Sequence, residues 1–196
     1  MEESQPERKD PAPGPLEVVR RFANSLDVDE GTDELGDPVA LGAWLVEAGL
    51  LEPEAAGGLG ADDLERVVSA REALRALLAA HAGDPDDPGA LTVLNAVAER
   101  ATLVVRFADD GHARLEPAAG GVDAALGRLL AIAQTAMVDG TWSRLKVCRW
   151  DTCRWAFYDA SKNRSGSWCS MAVCGNRAKA ASYRQRRRSE GQSGRG

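Results

Sequence analysis

Cys148, Cys153, Cys169 and Cys174 stand in the pattern C-x4-C-x15-C-x4-C and are all the cysteines in the chain. Two short loops each offer a pair of thiols, and the segment between them is long enough to fold back. All four sulfurs can therefore reach one tetrahedral ion. Zn2+ accepts such a set at about 2.3 Å per sulfur, and four thiolates close the site, leaving no open position for catalysis. The pattern predicts a small metal-dependent fold around one structural Zn2+. Three alternatives stay open. Two disulfides need an oxidising compartment, an iron–sulfur cluster uses the same ligands, and a bare redox pair departs from the usual C-x-x-C spacing.

The formal net charge of −6 hides a division along the chain. Residues 1–140 carry 11 Lys/Arg against 27 Asp/Glu, whereas residues 141–196 carry 13 against 3. The second part also holds Trp142, Trp150, Trp155, Phe157, Tyr158, Trp168 and Tyr183, seven of the ten aromatics. So sharp a shift argues for two units with different tasks. A unit this small has little core of its own, so its aromatics are expected to pack around the metal. Lys146, Arg149 and Arg154 would offset the negative charge of a four-thiolate centre, but they do not account for the whole excess.

That excess concentrates behind the last cysteine, in "NRAKAASYRQRRR". Asn176 is a good N-cap for a helix starting there. Arg177, Ala181, Arg184 and Arg188 then share one face, with Ala180 and Tyr183 on a packing face. No acidic residue precedes Glu190, so pairing along the helix cannot neutralise it. A solvated charged face is the bland alternative; a phosphate backbone is the counter-charge that explains the density. The candidates for contact with double-stranded DNA are Asn176, Arg177, Lys179, Arg184, Arg186, Arg187 and Arg188, with Lys162 and Arg164 in the loop before them.

The first 140 residues read as mostly helical. Asp37-Pro38 is a start signal for "VALGAWLVEAGLL", and "ADDLERVVSAREALRALLAAHAG" repeats apolar residues near the helical period. "ALTVLNAVAER" and residues 122–139 give two further helices. Between them, β-prone runs flank Asp109-Asp110-Gly111, a hairpin signal. The expected fold is α+β: a mostly helical N-terminal domain with one β-hairpin, then a small four-cysteine zinc-finger domain with a basic C-terminal helix. The expected divisions are a disordered leader at 1–15, domains at 16–140 and 141–188, and a flexible tail at 189–196.

No run approaches the ~20 apolar residues of a membrane span, and the charged, proline-rich start lacks a signal-peptide core. A cytoplasmic protein with no membrane partner is expected. Only His81 and His112 could serve as imidazole catalysts, and each reads as an ordinary surface residue, so no enzyme is expected. Asn24 and Asp27, beside the apolar "VVRRFA" run, are candidates for lining a small-molecule effector pocket; a turn capping the neighbouring helix is the alternative. Self-association as a homodimer is the other expectation for this unit.

The stretch "FYDASKNRSGSWCSMAVCGNRAKAASYRQRRR", with its cysteine pairs, closely resembles the CGNR zinc finger, named for the tetrapeptide standing here as Cys174-Gly175-Asn176-Arg177. Residues 143–188 carry that likeness. Phe22-Ala23-Asn24-Ser25, "LGAWLVEAGLL" and "DLERVVSAREALRALL" resemble the ABATE domain, described as a stress-induced transcription regulator. The resemblance implies zinc on the four cysteines and a DNA-binding, regulatory role. An RNA- or ribosome-associated binder and a thiol-based redox sensor, whose oxidised cysteines release zinc, are the competing functions.

Overall fold

The longest helix organises the molecule. Val67, Ala70, Leu74 and Leu78 recur at helical spacing, and residues Ala61–Ala80 form a helix (α4) whose buried face includes all four. The structure is a computed structural model that describes residues 11–193, with side chains described to residue 189. Around α4 pack α1 (Leu16–Ala23), α2 (Pro38–Glu47), α5 (Pro88–Ala101) and α6 (Gly121–Val138), with the short α3 (Pro53–Ala56) against α2. The Asp37 carboxylate accepts the backbone N–H groups of Val39 and Ala40, and Asp87 does the same for Gly89 and Ala90. Each therefore caps a helix whose first residue is proline, where a missing N–H costs nothing.

The strands form three antiparallel pairs: β1 (Leu26–Asp27) with β2 (Thr32–Asp33), β3 (Leu103–Phe107) with β4 (Ala113–Pro117), and β5 (Leu145–Val147) with β6 (Ala156–Tyr158). The β3–β4 hairpin turns at the Asp-Gly signal, with Gly111 at φ +78°. It lies so close to α6 that a Cβ at Gly127 would stand 2.7 Å from the Ala101 Cβ and 3.0 Å from that of Pro117. Those atoms belong to a helix end and a strand and cannot swing away. Gly127→Ala is therefore expected to lower unfolding free energy by about 1–3 kcal/mol, as overpacking does; urea denaturation measures it.

Helix α6 is apolar and long enough, by length and composition, to cross a membrane. Here it is a core helix, with Val122, Ala125, Leu126, Leu129 and Ala133 buried against its neighbours. Residues 141–158, expected to open the second unit, contribute Trp142, Leu145, Val147 and Ala156 to this same core. A second, smaller cluster consists of the cysteines, Phe157 and the tryptophans around them.

Three expectations need correction. Residues 11–15, read as part of a disordered leader, are seated: Ala12 is buried, and its N–H donates to the Glu17 carboxylate at 2.7 Å. The rest of that leader lies outside the described residues. The last helix, α7 (Asn176–Ser193), continues through the residues read as a flexible tail; 194–196 lie outside the described residues. On α7 the half-buried positions are Ala178 and Ala181, not Ala180 and Tyr183, which are exposed. Beyond Ala181 the described side chains of the helix are all exposed, so its half-buried positions are small residues near the cysteines.

Candidate metal centre and basic helix

Cys148 directly follows β5, and its N–H donates to the Trp155 carbonyl at 2.9 Å, extending the β5–β6 ladder by one step. The chain then reverses: the N–H groups of Cys153 and Arg154 both donate to the Trp150 carbonyl, and Arg154 takes φ +51°. This turn presents Cys153 beside Cys148. The second pair is shaped differently. Ser170 is extended, and a π-helical turn, Met171–Gly175, carries Cys174 inward and runs straight into α7. The helical path thus begins a turn earlier than expected. Asn176 is already helical, and its amide donates to the Ala172 carbonyl at 2.9 Å instead of capping. The Arg149 N–H donates to the Ser167 carbonyl at 3.1 Å and joins the two turns.

All four sulfurs lie within 4.8 Å of one another. Cys153 and Cys169 are 3.6 Å apart and Cys169 and Cys174 3.8 Å apart. A tetrahedron with bonds of about 2.3 Å has edges of about 3.8 Å, so the cage fits one zinc ion. It is too tight for an iron–sulfur cluster, and the cysteines are free rather than bridged. All four are buried beneath Trp150, Trp155, Trp168, Phe157 and Val173, as expected of a unit with so small a core. The centre is one structural zinc per chain on Cys148, Cys153, Cys169 and Cys174. Bound zinc supplies a cross-link and no reactivity, because every ligand position is taken.

Packed this closely and buried, the four thiols perturb one another. Hydrogen bonds from Cys153 and Cys169 draw the Cys148 thiol down, and the same contacts push Cys153 and Cys169 up. Burial, with the neighbouring sulfurs, pushes Cys174 up to about 12. Crowded, buried sulfurs resist ionising together. A divalent ion reverses that preference, so binding releases protons and weakens as pH falls. Of the three cations expected to balance this charge, Lys146 and Arg154 are engaged elsewhere, on Asp159 and Asp84. Arg149 is exposed.

The loop between the cysteine pairs hangs on a buried ion pair. Lys146 Nζ donates to Asp159 Oδ2 at 2.9 Å, and both side chains are almost wholly buried. Asp159 also accepts the N–H groups of Gly166 and Ser161, at 2.7 and 3.1 Å, while Lys146 donates to the carbonyls of Arg164 and Gly166. Burial opposes the charge on Asp159. Hydrogen bonds from Ser161, Lys146 and the Gly166 N–H outweigh it and hold the carboxyl well below the usual range. Lys162 and Arg164 are thereby held on an exposed, braced loop, with Arg164 at φ +51°.

On α7, Asn176, Arg177, Lys179, Arg184, Arg186, Arg187 and Arg188 are all exposed. Arg177 is the exception to the expected lack of acidic partners: its Nη1 donates to Asp29 Oδ2 at 2.8 Å. The partner comes from another segment, so pairing rules along a helix could not reveal it. Lys179, Arg184, Arg186, Arg187 and Arg188 have no acidic partner among the described residues.

Asn24 turns out to be a bridge. Its amide nitrogen donates to the Ala156 carbonyl at 2.9 Å and its oxygen accepts the Ala156 N–H at 2.7 Å, so α1 holds β6 as a neighbouring strand would. Both ends of the amide are thus engaged in joining two parts of the fold. Asp27 Oδ1 accepts the N–H groups of Asp29 and Glu30, forming a turn. Neither residue lines the large open groove of the molecule, about 1120 Å3, which runs between α6, β4 and the turn after α2.

Sequence reasoning also missed Arg71 and Arg75. Both are buried on α4; Arg71 holds Asp33 and Ser25, and Arg75 donates to the carbonyls of Ala23, Leu26 and Arg154. A signal existed: both stand in register with Val67, Leu74 and Leu78, where a solvated arginine has no place. His81, at the end of α4, has Nδ1 2.8 Å from the Leu145 carbonyl and meets Trp142 edge-on. It helps dock β5 onto α4. His112 is exposed by the hairpin turn.

A helical body, a closed four-cysteine zinc centre joined to its core and an exposed cationic helix together define a zinc-finger protein. Residues 16–139 match the ABATE family, described as "Putative stress-induced transcription regulator", and residues 144–187 match the CGNR zinc finger. The first match spans more than half of the chain, and the chain belongs to the ABATE family, with a CGNR zinc finger as its C-terminal part. No curated protein matches it.

Proposed function

We propose that the protein is a transcription regulator that binds double-stranded DNA through α7 and the braced loop at residues 160–167. One observation carries this reading: five cations, Lys179, Arg184, Arg186, Arg187 and Arg188, stand exposed and without acidic partners among the described residues, on a helix whose described side chains beyond Ala181 are all exposed. Unpaired charge of this density is self-repelling, and a phosphate backbone relieves it. Arg177 and Arg184 are exposed and suit the major groove, and Arg186 to Arg188 suit the backbone. The acidic body limits indiscriminate binding by repelling phosphate elsewhere on the surface. Its groove beside α6 is the place for an effector, and a regulator of this kind works in the reducing cytoplasm, where its thiolates persist.

Titration of full-length, zinc-loaded protein with duplex DNA at several salt concentrations tests this. If five phosphates are neutralised, log K should fall with log salt at a slope of about −4.5. Arg187→Ala should weaken all sequences alike and shallow the slope by about one. A slope near zero, or preference for RNA over duplex DNA in competition, would falsify the DNA reading.

A further inference from the structure

Arg177 differs from the other α7 cations in having a partner 148 positions away. Its side chain is 41% exposed and that of Asp29 28% exposed. One guanidinium nitrogen is committed to Asp29, and the remaining donors have no partner among the described residues. We propose that Asp29 is a positioning residue: it orients the Arg177 guanidinium for base readout, so that sequence preference is set jointly by the helical body and the finger helix. This rests on the DNA-binding reading above.

Asp29 is itself firmly held. Asp27 accepts the N–H groups of Asp29 and Glu30, and Gly31, at φ +70°, donates its N–H to the Asp27 carbonyl at 2.8 Å. The β1–β2 pairing closes the turn, with Leu26 opposite Asp33 and Asp27 opposite Thr32. Beneath it, Arg71 holds Asp33 at 2.7 Å and Arg75 holds the Leu26 carbonyl, both from the buried face of α4. The carboxylate thus stands on a turn tied to the core helix rather than on a loose strap.

A lone arginine on an exposed helix spreads over many rotamers, and that freedom is lost when it binds. A fixed carboxylate at one edge of the planar fork selects an orientation and leaves other donors for a partner. Guanine offers O6 and N7 in the major groove, which arginine reads through two hydrogen bonds. The same carboxylate repels phosphate. An Asp-held arginine is therefore steered toward a base edge, whereas the five unpartnered cations are suited to the backbone.

The test uses full-length, zinc-loaded protein and a pool of duplexes with a randomised centre. From the best-bound duplex, a set with single base-pair changes is made. Affinities are measured for wild type, Asp29→Asn, Arg177→Ala and the double variant, after zinc content and melting temperature show that each is folded. Asp29→Asn is expected to reduce discrimination at one G·C pair by about tenfold with the salt slope unchanged. It should have no further effect on discrimination in the Arg177→Ala background. If Asp29→Asn instead tightens binding to every duplex with discrimination intact, Asp29 is a latch over a phosphate contact and the proposal is overturned. An equal effect with and without Arg177, or no effect on a selective wild type, overturns it as well and leaves DNA binding standing. Absence of salt-dependent duplex binding by wild type removes both readings together.

Discussion

Cys169→Ser is expected to abolish zinc binding, taking elemental analysis from one zinc per chain to none, and to unfold only part of the C-terminal region. Structural zinc in finger peptides contributes roughly 10–16 kcal/mol of apparent binding free energy, all of it coupled to folding. Cys169 sits between its partners, 3.6 Å from Cys153 and 3.8 Å from Cys174, so its loss opens the cage at the joint of the two turns. The extent of unfolding depends on which core each segment belongs to. The β5–β6 hairpin shares the main core through Leu145, Val147 and Ala156, and Asn24 clasps it. It should keep its amide protection in hydrogen exchange. Residues 149–155 and 160–193 have the small cysteine cluster as their main apolar support and should lose theirs. Retention of zinc, or protection of α7 without it, would contradict this account.

Asp159→Asn is expected to be the most damaging change away from the cysteines, lowering stability by about 3–5 kcal/mol, because it strands the charge of Lys146 in a buried site. The backbone carbonyls of Arg164 and Gly166 that Lys146 also meets place the loss toward the low end. The pH dependence has a definite sign. The Asp159 carboxyl is held below its ordinary value in the fold, so its contribution is fully present above about pH 5 and is lost as pH falls through the lowered value. The stability gap between wild type and Asp159→Asn should therefore be constant from about pH 8 to pH 5 and narrow only below the ordinary carboxylate value near about 4. Denaturant titrations at fixed zinc across that range measure it. A gap that widens on acidification would show that the buried pair is not the cause.

Local features of the chain were legible because they rest on short-range rules. The cysteine spacing, the proline-led helix that starts at Asp37-Pro38, and the hairpin at Asp109-Asp110-Gly111 each depend on a few neighbouring residues. The basic run was equally plain, since charge is counted without coordinates. What the sequence did not disclose are partners that are remote or local geometry without a pattern. Asn24 stands out in the sequence only as a polar residue beside the apolar "VVRRFA" run; its amide partner is Ala156, 132 residues away. Asn176 looked like a cap because the π-turn before it has no simple periodic signature.

By itself, then, the sequence determined the four clustered ligands, the helical character of the body and the excess of positive charge at the end. Each follows from covalent spacing, side-chain periodicity or composition. Only the tertiary structure decided that the finger's hairpin shares the body's core, that Arg71 and Arg75 are buried beneath the β1–β2 turn, and that Asp29 meets Arg177. Those outcomes depend on which distant surfaces pack together. Burying an arginine or pairing it across 148 positions is favourable only when a particular set of acceptors has been assembled around it.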